Sequence, residues 1–238
     1  MLRARLVIEA EVYMETKDDS HFEGLLKDCG VRLNPAEIER AVKFRRLVVD
    51  ENTRQNLTKL VSPADFFTGH VRDTVELLRS GFLEFPAMDM GSGCGVPGML
   101  SSVMSGGRWI LAESEGKKAA FLVAAKEELG LGDVSVFGGR AEDLLRKETV
   151  GAIVARAVGP VQRIYSWIRQ CSTWNTLVLF KGPGWPAEWD AFQGTPHGKE
   201  LRILAKHEYL VQGLPGQEDY PKTRVIIQLG RVPRGTKK

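Results

Sequence analysis

The segment best suited to hold a small ligand is glycine-rich and runs from Met88 to Gly98 (MDMGSGCGVPG). Gly91, Gly93 and Gly95 follow a short apolar run at alternate positions, and Pro97 is well placed to begin a helix. Glycine lets the backbone approach a ligand closely, and the first turn of a helix carries N–H groups with no partner inside the helix. The segment therefore predicts a nucleotide-binding turn between a strand and a helix.

Two cofactors fit this turn. Gly93, Gly95 and Gly98 satisfy the G-x-G-x-x-G spacing of dinucleotide-binding enzymes, which leaves an NAD-dependent oxidoreductase open. Asp89 at the strand end favours S-adenosylmethionine, because a carboxylate can bind its cationic amino group and would repel a pyrophosphate. Asp89 can also simply cap the loop. We expect S-adenosylmethionine, with its amino-acid end held by Asp89 and the glycine turn.

Two later segments are candidates for the rest of that cofactor. Glu113 closes the second predicted strand, is followed by Ser114, and can accept hydrogen bonds from the ribose hydroxyls. It can also be an ordinary solvated acid. Ala141 and Glu142 follow the third strand, where a methyltransferase would hold the adenine ring. They can equally be a helix start, where acids are favoured by the helix dipole.

No catalytic residue is assigned from the sequence. The segment Ala155–Pro160 (ARAVGP) lacks the acid or Asn, two prolines and aromatic residue usual in adenine-N6 and cytosine-N4 methyltransferases, and there is no Pro-Cys pair as in cytosine-C5 RNA enzymes. The three cysteines lie far apart, without metal-ligand spacing, so neither a metal site nor a structural disulfide is expected. His70 and Asp73 share a predicted helix face, either closing a substrate pocket or forming a surface pair.

The composition bounds the architecture. The length of 238 residues suits one α/β domain with an appendage, and 43% hydrophobic residues suffice for a sizeable core. No apolar run approaches the roughly 20 residues that span a bilayer, and no secretory signal is evident, so a cytoplasmic protein is expected. The net charge of +3 is compatible with RNA binding but does not establish it.

The elements that must position these residues form two groups. Helices are predicted over Asn34–Leu57 and Ala64–Leu78, within an N-terminal helical extension (1–80). From 81 to 238 apolar runs alternate with helical segments, which predicts a mostly parallel sheet covered on both faces. The predicted strands are Phe85–Met90, Trp109–Glu113, Val134–Phe137, Ala152–Ala155 and Leu177–Lys181, followed by an antiparallel edge hairpin from Leu201–Val211 and Val225–Leu229. The predicted helices begin near Pro97, Lys117, Ala141 and Pro160.

The combination of motifs resembles the RsmG (GidB) family of 16S rRNA guanine-N7 methyltransferases. The similar segments lie in family order over roughly positions 50 to 185 and are more specific together than any one alone. They are Asn56–Thr58 (NLT), His70 with Asp73, Asp89–Gly98, Gly116–Leu122 (GKKAAFL), Gly139–Glu142 (GRAE), Ala155–Val158 (ARAV) and Lys181–Gly182.

The resemblance implies a class I, Rossmann-like S-adenosylmethionine-dependent methyltransferase with a seven-stranded sheet, acting as a monomer on 16S rRNA or the small ribosomal subunit. Guanine N7 has an in-plane lone pair and no hydrogen, so it can attack the methyl group without a general base, and catalysis would rest mainly on positioning. A non-catalytic ribosome assembly factor that keeps this fold remains an alternative. The cofactor contacts implied by position are Gly91, Val96, Glu113, Ala141, Glu142 and Arg156.

Cations near the expected site are candidates to contact RNA. The principal ones are Lys117, Lys118, Arg140, Arg156 and Lys181, and further ones are Lys59, Arg72 and Arg163. The end of the chain from Lys222 carries six cations and no acid, so it is expected to be a basic tail that either grips RNA or is a disordered end.

Overall fold

A seven-stranded sheet forms the centre of the protein, as the computed structural model of residues 17–232 shows. Its strand order is β3-β2-β1-β4-β5-β7-β6. The first five strands are parallel, and β7 pairs antiparallel with both β5 and β6. The strands are β1 Ala87–Met90, β2 Trp109–Glu113, β3 Val134–Gly138, β4 Val150–Ala155, β5 Trp174–Lys181, β6 Leu201–Val211 and β7 Lys222–Arg231. The predicted parallel sheet with an antiparallel edge hairpin is confirmed.

Helices cover both faces of this sheet. The first, α1, covers residues 17–27 of the described chain. The others are α2 Pro35–Asn52, α3 Pro63–Phe66, α4 Arg72–Ser80, α5 Gly98–Ser105, α6 Gly116–Glu128, α7 Ala141–Leu145, α8 Val161–Ile168 and α9 Trp185–Gln193. A π-helical turn, Phe67–Val71, joins α3 to α4, and a 3₁₀ turn, Gly198–Glu200, precedes β6. None of the helices within residues 17–232 combines the length and apolarity needed to span a bilayer.

Burial of the strands explains their sequences. Every residue of β1, β2 and β4 is buried, as expected for parallel strands covered on both faces. By contrast, most of β6 alternates between exposed and partly buried residues, because one face of this antiparallel strand packs on the protein and the other faces solvent. These three central strands are thus buried along their whole length.

The N-terminal helices share a core with the sheet. Helix α2 starts as predicted: the Asn34 side chain accepts from the Glu37 backbone N–H at 3.0 Å, and the Glu37 carboxylate accepts from the Asn34 backbone N–H at 2.7 Å. Phe44 of α2 is fully buried and belongs to the same apolar cluster as Ala87 of β1 and Leu111 of β2. This packing places the N-terminal helices on the sheet face that α5 and α6 cover.

The end of the chain differs from the expected basic tail. Residues Lys222–Arg231 form β7, which lies between β5 and β6 and contributes buried side chains to both faces. Because residues Lys222–Arg231 are paired in the sheet, this part of the segment is not a free tail. Its last cations, Arg234, Lys237 and Lys238, lie outside the described residues.

Candidate functional site

An open cleft of about 660 Å³ lies where β1, β2 and β3 end. The cleft is lined by residues at or just after the ends of those three strands, by one residue of the loop after β4 and by one residue of α8. The lining residues are Met90, Gly91, Ala112, Ser114, Gly139, Arg140, Ala141, Glu142, Asp143, Val158 and Trp167. Of the predicted cofactor contacts, Gly91, Ser114, Ala141 and Glu142 are thus brought together at the carboxyl edge of the sheet.

The glycine turn forms one wall of the cleft. The Gly91 N–H donates to the Ala112 carbonyl at 2.8 Å, which keeps the turn close to β2. Gly91 has φ +68°, a conformation that other residues rarely adopt, and a Cβ there would lie 3.1 Å from Val158. A larger residue at position 91 would therefore press against Val158, and the close approach of this backbone to a ligand stays a prediction.

Asp89 lies beneath this turn and does not line the cleft. Its side chain is 1% exposed, and Oδ2 accepts a hydrogen bond from the Gly98 backbone N–H at 2.9 Å. Burial raises the pKa of Asp89 to about 6, although the Gly98 hydrogen bond and Arg156 oppose the rise. The structure thus favours the loop-capping alternative over direct contact with a cationic amino group. Because strand periodicity does not reveal which groups lie above a buried carboxylate, the sequence left both open.

Glu113 connects the first two βα turns. Its Oε2 accepts from the Gly93 N–H at 2.9 Å, and its Oε1 accepts from the Glu115 N–H at 2.8 Å. Glu113 is 7% exposed and does not itself line the cleft, so a bond from a ribose diol would have to reach the second lone pair that each carboxylate oxygen keeps. Gly93 itself and Gly95 shape the turn rather than line the cleft, and Val96 is buried.

The three cysteines are unsuited to act as nucleophiles. Cys29, Cys94 and Cys171 are all buried and free. Burial raises the pKa of each thiol, so the reactive thiolate is disfavoured. Cys94, although it lies in the glycine turn, is a packing residue.

Arg156 contacts the N-terminal helices and does not line the cleft, so its predicted cofactor or RNA contact stays a prediction. It lies at the end of β4 and points to the N-terminal helices, where its guanidinium donates to the Gly69 carbonyl at 2.9 Å, Asp73 Oδ2 at 3.1 Å and His70 Nδ1 at 2.7 Å. Its next neighbour, Ala157, is held at φ +58°. Arg156 thereby anchors the loop that carries Val158 into the cleft wall.

His70 and Asp73 are buried, so the surface-pair reading is wrong. Since arginine can only donate, His70 Nδ1 is the acceptor and Nε2–H donates to the Thr58 hydroxyl at 3.0 Å. Burial, with Arg156 and then Arg224, lowers the pKa of His70 well below its usual value, so the ring is neutral.

Asp73 also joins the edge hairpin to the N-terminal helices. Tyr209 of β6 donates to Asp73 Oδ1 at 2.8 Å, and Arg224 of β7 donates to the same oxygen. Further along the same helical face, Glu76 accepts from His207 at 2.8 Å. Sequence reasoning missed this polar seam, defined here as Asp73 and Glu76 with their partners, although their shared helical face was a usable signal.

The loop between β6 and β7 is fastened to the start of the same helical region. The Gln217 amide nitrogen donates to Asp65 at 2.8 Å, while its amide oxygen accepts from the Thr68 hydroxyl at 2.9 Å. The edge hairpin is therefore held by hydrogen bonds at both its loop and its strands.

The cations expected to contact RNA differ in their exposure and in their partners. Lys181 is only 10% exposed, and its ammonium donates to the Gly159 carbonyl at 2.9 Å and pairs with Glu188 at 2.7 Å, so its predicted RNA role is not supported. Lys118 pairs with Glu115 at 2.7 Å. Arg140 is exposed on the cleft lining and lies 3.6 Å from Glu142. Of the other four, Lys59, Lys117 and Arg163 are exposed, and the Arg72 guanidinium lies over the ring of Phe67.

Comparison with known proteins gives concordant results. Residues 37–206 match the family described as GidB, rRNA small subunit methyltransferase G. A protein named ribosomal RNA small subunit methyltransferase G from Solibacter usitatus is 34% identical over 177 residues, covering 73% of this chain and 84% of its own. One of the same name from Ectopseudomonas mendocina is 30% identical and covers 83% and 92%.

Among solved structures, a variant of MtNAS in complex with S-adenosylmethionine matches with a TM-score of 0.51 and 17% identity. The match covers 82% of this chain and 73% of that chain. A structure described as a putative RNA methyltransferase from Pyrococcus horikoshii matches with a TM-score of 0.50 and 14% identity, covering 68% of this chain and 85% of that chain. At these identities the likeness concerns the fold alone, which is that of class I methyltransferases.

Proposed function

Because this chain belongs to the rRNA small subunit methyltransferase G family, we propose that it transfers a methyl group from S-adenosylmethionine to N7 of a guanine in a loop of 16S rRNA. The observation that carries the proposal is the cleft at the ends of β1, β2 and β3, which brings Gly91, Ser114, Ala141 and Glu142 to one site. A ribosomal substrate would place the protein in the bacterial cytoplasm.

The cleft residues fit the cofactor. Gly91 leaves room that a Cβ would fill, and its φ of +68° brings the backbone to the cleft. Glu113, buried next to the turn, would accept hydrogen bonds from the two ribose hydroxyls through the second lone pair of each carboxylate oxygen. Ala141 and Glu142 would border the adenine, next to the apolar side chains of Met90 and Val158.

The same geometry disfavours a dinucleotide. In the alternative glycine register, the helix N-terminus at Gly98 would bind the pyrophosphate. Its N–H is instead bonded to the Asp89 carboxylate at 2.9 Å. A buried acid at that position competes for the donor and, when ionised, repels a phosphate.

When bound, S-adenosylmethionine supplies an electrophilic methyl group on a sulfonium. The chain has to hold the acceptor in line with it and exclude water. Guanine N7 needs no general base, and this agrees with the cysteines being buried, with raised thiol pKa values that do not suit covalent catalysis at cytosine C5. The Arg156 anchor shapes the loop Ala157–Pro160, which borders the cleft through Val158.

Exposed cations beside the cleft would contact the RNA backbone. Arg140 borders the cleft directly, and Lys117 is exposed in the first turn of α6, three residues after Ser114. Phosphate contacts of this kind position an RNA without specifying its sequence. Recognition of the particular guanine would then come from the shape of a single-stranded loop.

The test uses small subunits from a bacterium that lacks its own member of the family. Purified protein and S-adenosylmethionine carrying a radiolabelled methyl group are added, and N7-methylguanosine is mapped by borohydride–aniline cleavage of the 16S rRNA. We expect label in one guanine, cleaved only after incubation with enzyme. Label at another atom, turnover on small molecules without RNA, or binding without transfer would each contradict the proposal. Stabilisation by NAD but not by S-adenosylhomocysteine would instead support an oxidoreductase.

A further inference from the structure

Trp167 on α8 is a large aromatic residue that lines the cleft without a role in the core. It is 37% exposed, and among the described residues that line the cleft it is the only aromatic one. The other tryptophans pack: Trp109, Trp174 and Trp185 are buried, and Trp189 lies 5.5 Å from the Trp185 ring. Exposure of an indole inside a concave, partly apolar site indicates a ligand contact more than a packing contact.

Packing between α8 and α7 locates Trp167 relative to the cleft. The two helices are in contact, and just beyond the end of α8 the Cys171 thiol lies 3.7 Å from the Glu142 carbonyl in the first turn of α7. Trp167 lies in the last turn of α8, next to this contact. Long helical side chains tilt towards the helix N-terminus, and here that direction leads to Val158 and the ends of the strands. Both Trp167 and Val158 accordingly line the cleft.

We propose that Trp167 is a cofactor-binding residue whose indole packs against the purine ring of the S-adenosylmethionine nucleoside. The inference rests on the proposed function and assigns to this site an aromatic contact outside its glycine and acidic motifs. A flat apolar ring suits a purine because stacking on a nucleobase needs no particular hydrogen-bond pattern. The small residues around it, Gly91, Ala112 and Ala141, leave space for such a ring.

Binding of S-adenosylhomocysteine, measured by isothermal titration calorimetry, tests the proposal. Trp167→Ala should weaken binding about 10-fold, and Trp167→Phe, which keeps a smaller ring, should weaken it less. The control is Leu210→Ala, which removes an exposed side chain (51%) from the edge strand outside the cleft and should leave affinity unchanged. Thermal unfolding of each variant checks that it is folded.

Fluorescence supplies a measurement that does not depend on the alanine variant. Adding S-adenosylhomocysteine should change the tryptophan emission of the parent protein and of Trp189→Phe, but Trp167→Phe should lose most of the change. Affinity of Trp167→Ala within 2-fold of the parent would overturn the inference while leaving methylation intact. A raised KM for small subunits with unchanged S-adenosylhomocysteine affinity would assign the indole to RNA and also overturn it. Failure of the parent protein to bind S-adenosylhomocysteine would overturn the proposed function itself.

Discussion

Replacing Asp73 with alanine should strongly destabilise the protein, because Asp73 is the shared acceptor of the polar seam. The carboxylate is 3% exposed, pairs with Arg156 at 3.1 Å and Arg224 at 2.5 Å, and accepts from Tyr209 at 2.8 Å. These partners come from the β4 loop, β7 and β6, so the substitution would remove the link between three elements and α4.

The magnitude follows from what the substitution leaves behind. Removing one partner of a buried ion pair costs about 3–5 kcal/mol, because the other charge stays buried without compensation. The side chains of Arg156 and Arg224 are 17% and 24% exposed, so partial hydration favours the lower part of that range. A loss of about 3 kcal/mol is a large share of a typical stability of about 5–15 kcal/mol. It corresponds to a fall in Tm of roughly 6–12 °C for a chain of this size.

The assay is urea unfolding followed by circular dichroism, with thermal unfolding alongside. Asp143→Ala is the matched control, since Asp143 forms an exposed pair with Arg146 and should cost less than about 1 kcal/mol. Asp73→Asn keeps an acceptor for Tyr209 but removes the charge, so it should fall between parent and alanine variant. The reasoning is refuted if Asp73→Ala loses no more free energy of unfolding than Asp143→Ala.

Three further predictions concern the turn and the cations. Burial raises the pKa of Asp89 from 3.8 to about 6. Between about pH 4 and 6 the folded protein therefore binds more protons than the unfolded chain, and the free energy of unfolding falls by about 3 kcal/mol as the pH rises through that window. Asp89→Asn should remove this dependence, so its stability relative to the parent should increase from pH 4 to 7 in urea titrations. Gly98→Ala would place a Cβ 2.6 Å from Leu111 and 2.7 Å from Asp89, costing about 1–3 kcal/mol in thermal unfolding, whereas Gly116→Ala meets nothing within 4 Å and should be nearly neutral. Lys117→Ala should raise the KM for small subunits in methyl-transfer assays without changing S-adenosylhomocysteine affinity, because its proposed contact is with phosphate.

Each of these predictions has a contradicting outcome. A parallel pH profile for Asp89→Asn and parent would mean that the carboxylate is not the titrating group. Equal stability of Gly98→Ala and Gly116→Ala would show that the tight approach at Gly98 relaxes freely. An unchanged KM for Lys117→Ala at low and moderate salt would exclude Lys117 from the RNA interface.

The sequence by itself determined the features that depend on neighbouring residues. Asn34 and Glu37 specify the start of α2 because a capping box needs only a short spacing. Gly91 and its turn were identifiable because glycine is favoured wherever φ is positive. The fully apolar run of β4 likewise indicated a strand buried on both faces. These local signals, read together, were sufficient for the parallel sheet and the place of the cleft.

Only the tertiary structure decided the role of each charged residue. Arg156 and Lys181 were both expected at the RNA, but one meets Asp73, 83 positions away, and the other meets Glu188 across a turn. Asp89 was expected to face the ligand and instead lies beneath the loop. A side chain's charge is visible in the sequence, but its burial and its partner depend on which distant segments pack beside it. That packing sets the local dielectric and the available hydrogen bonds, and these decide whether an ionic group holds the fold or meets a ligand.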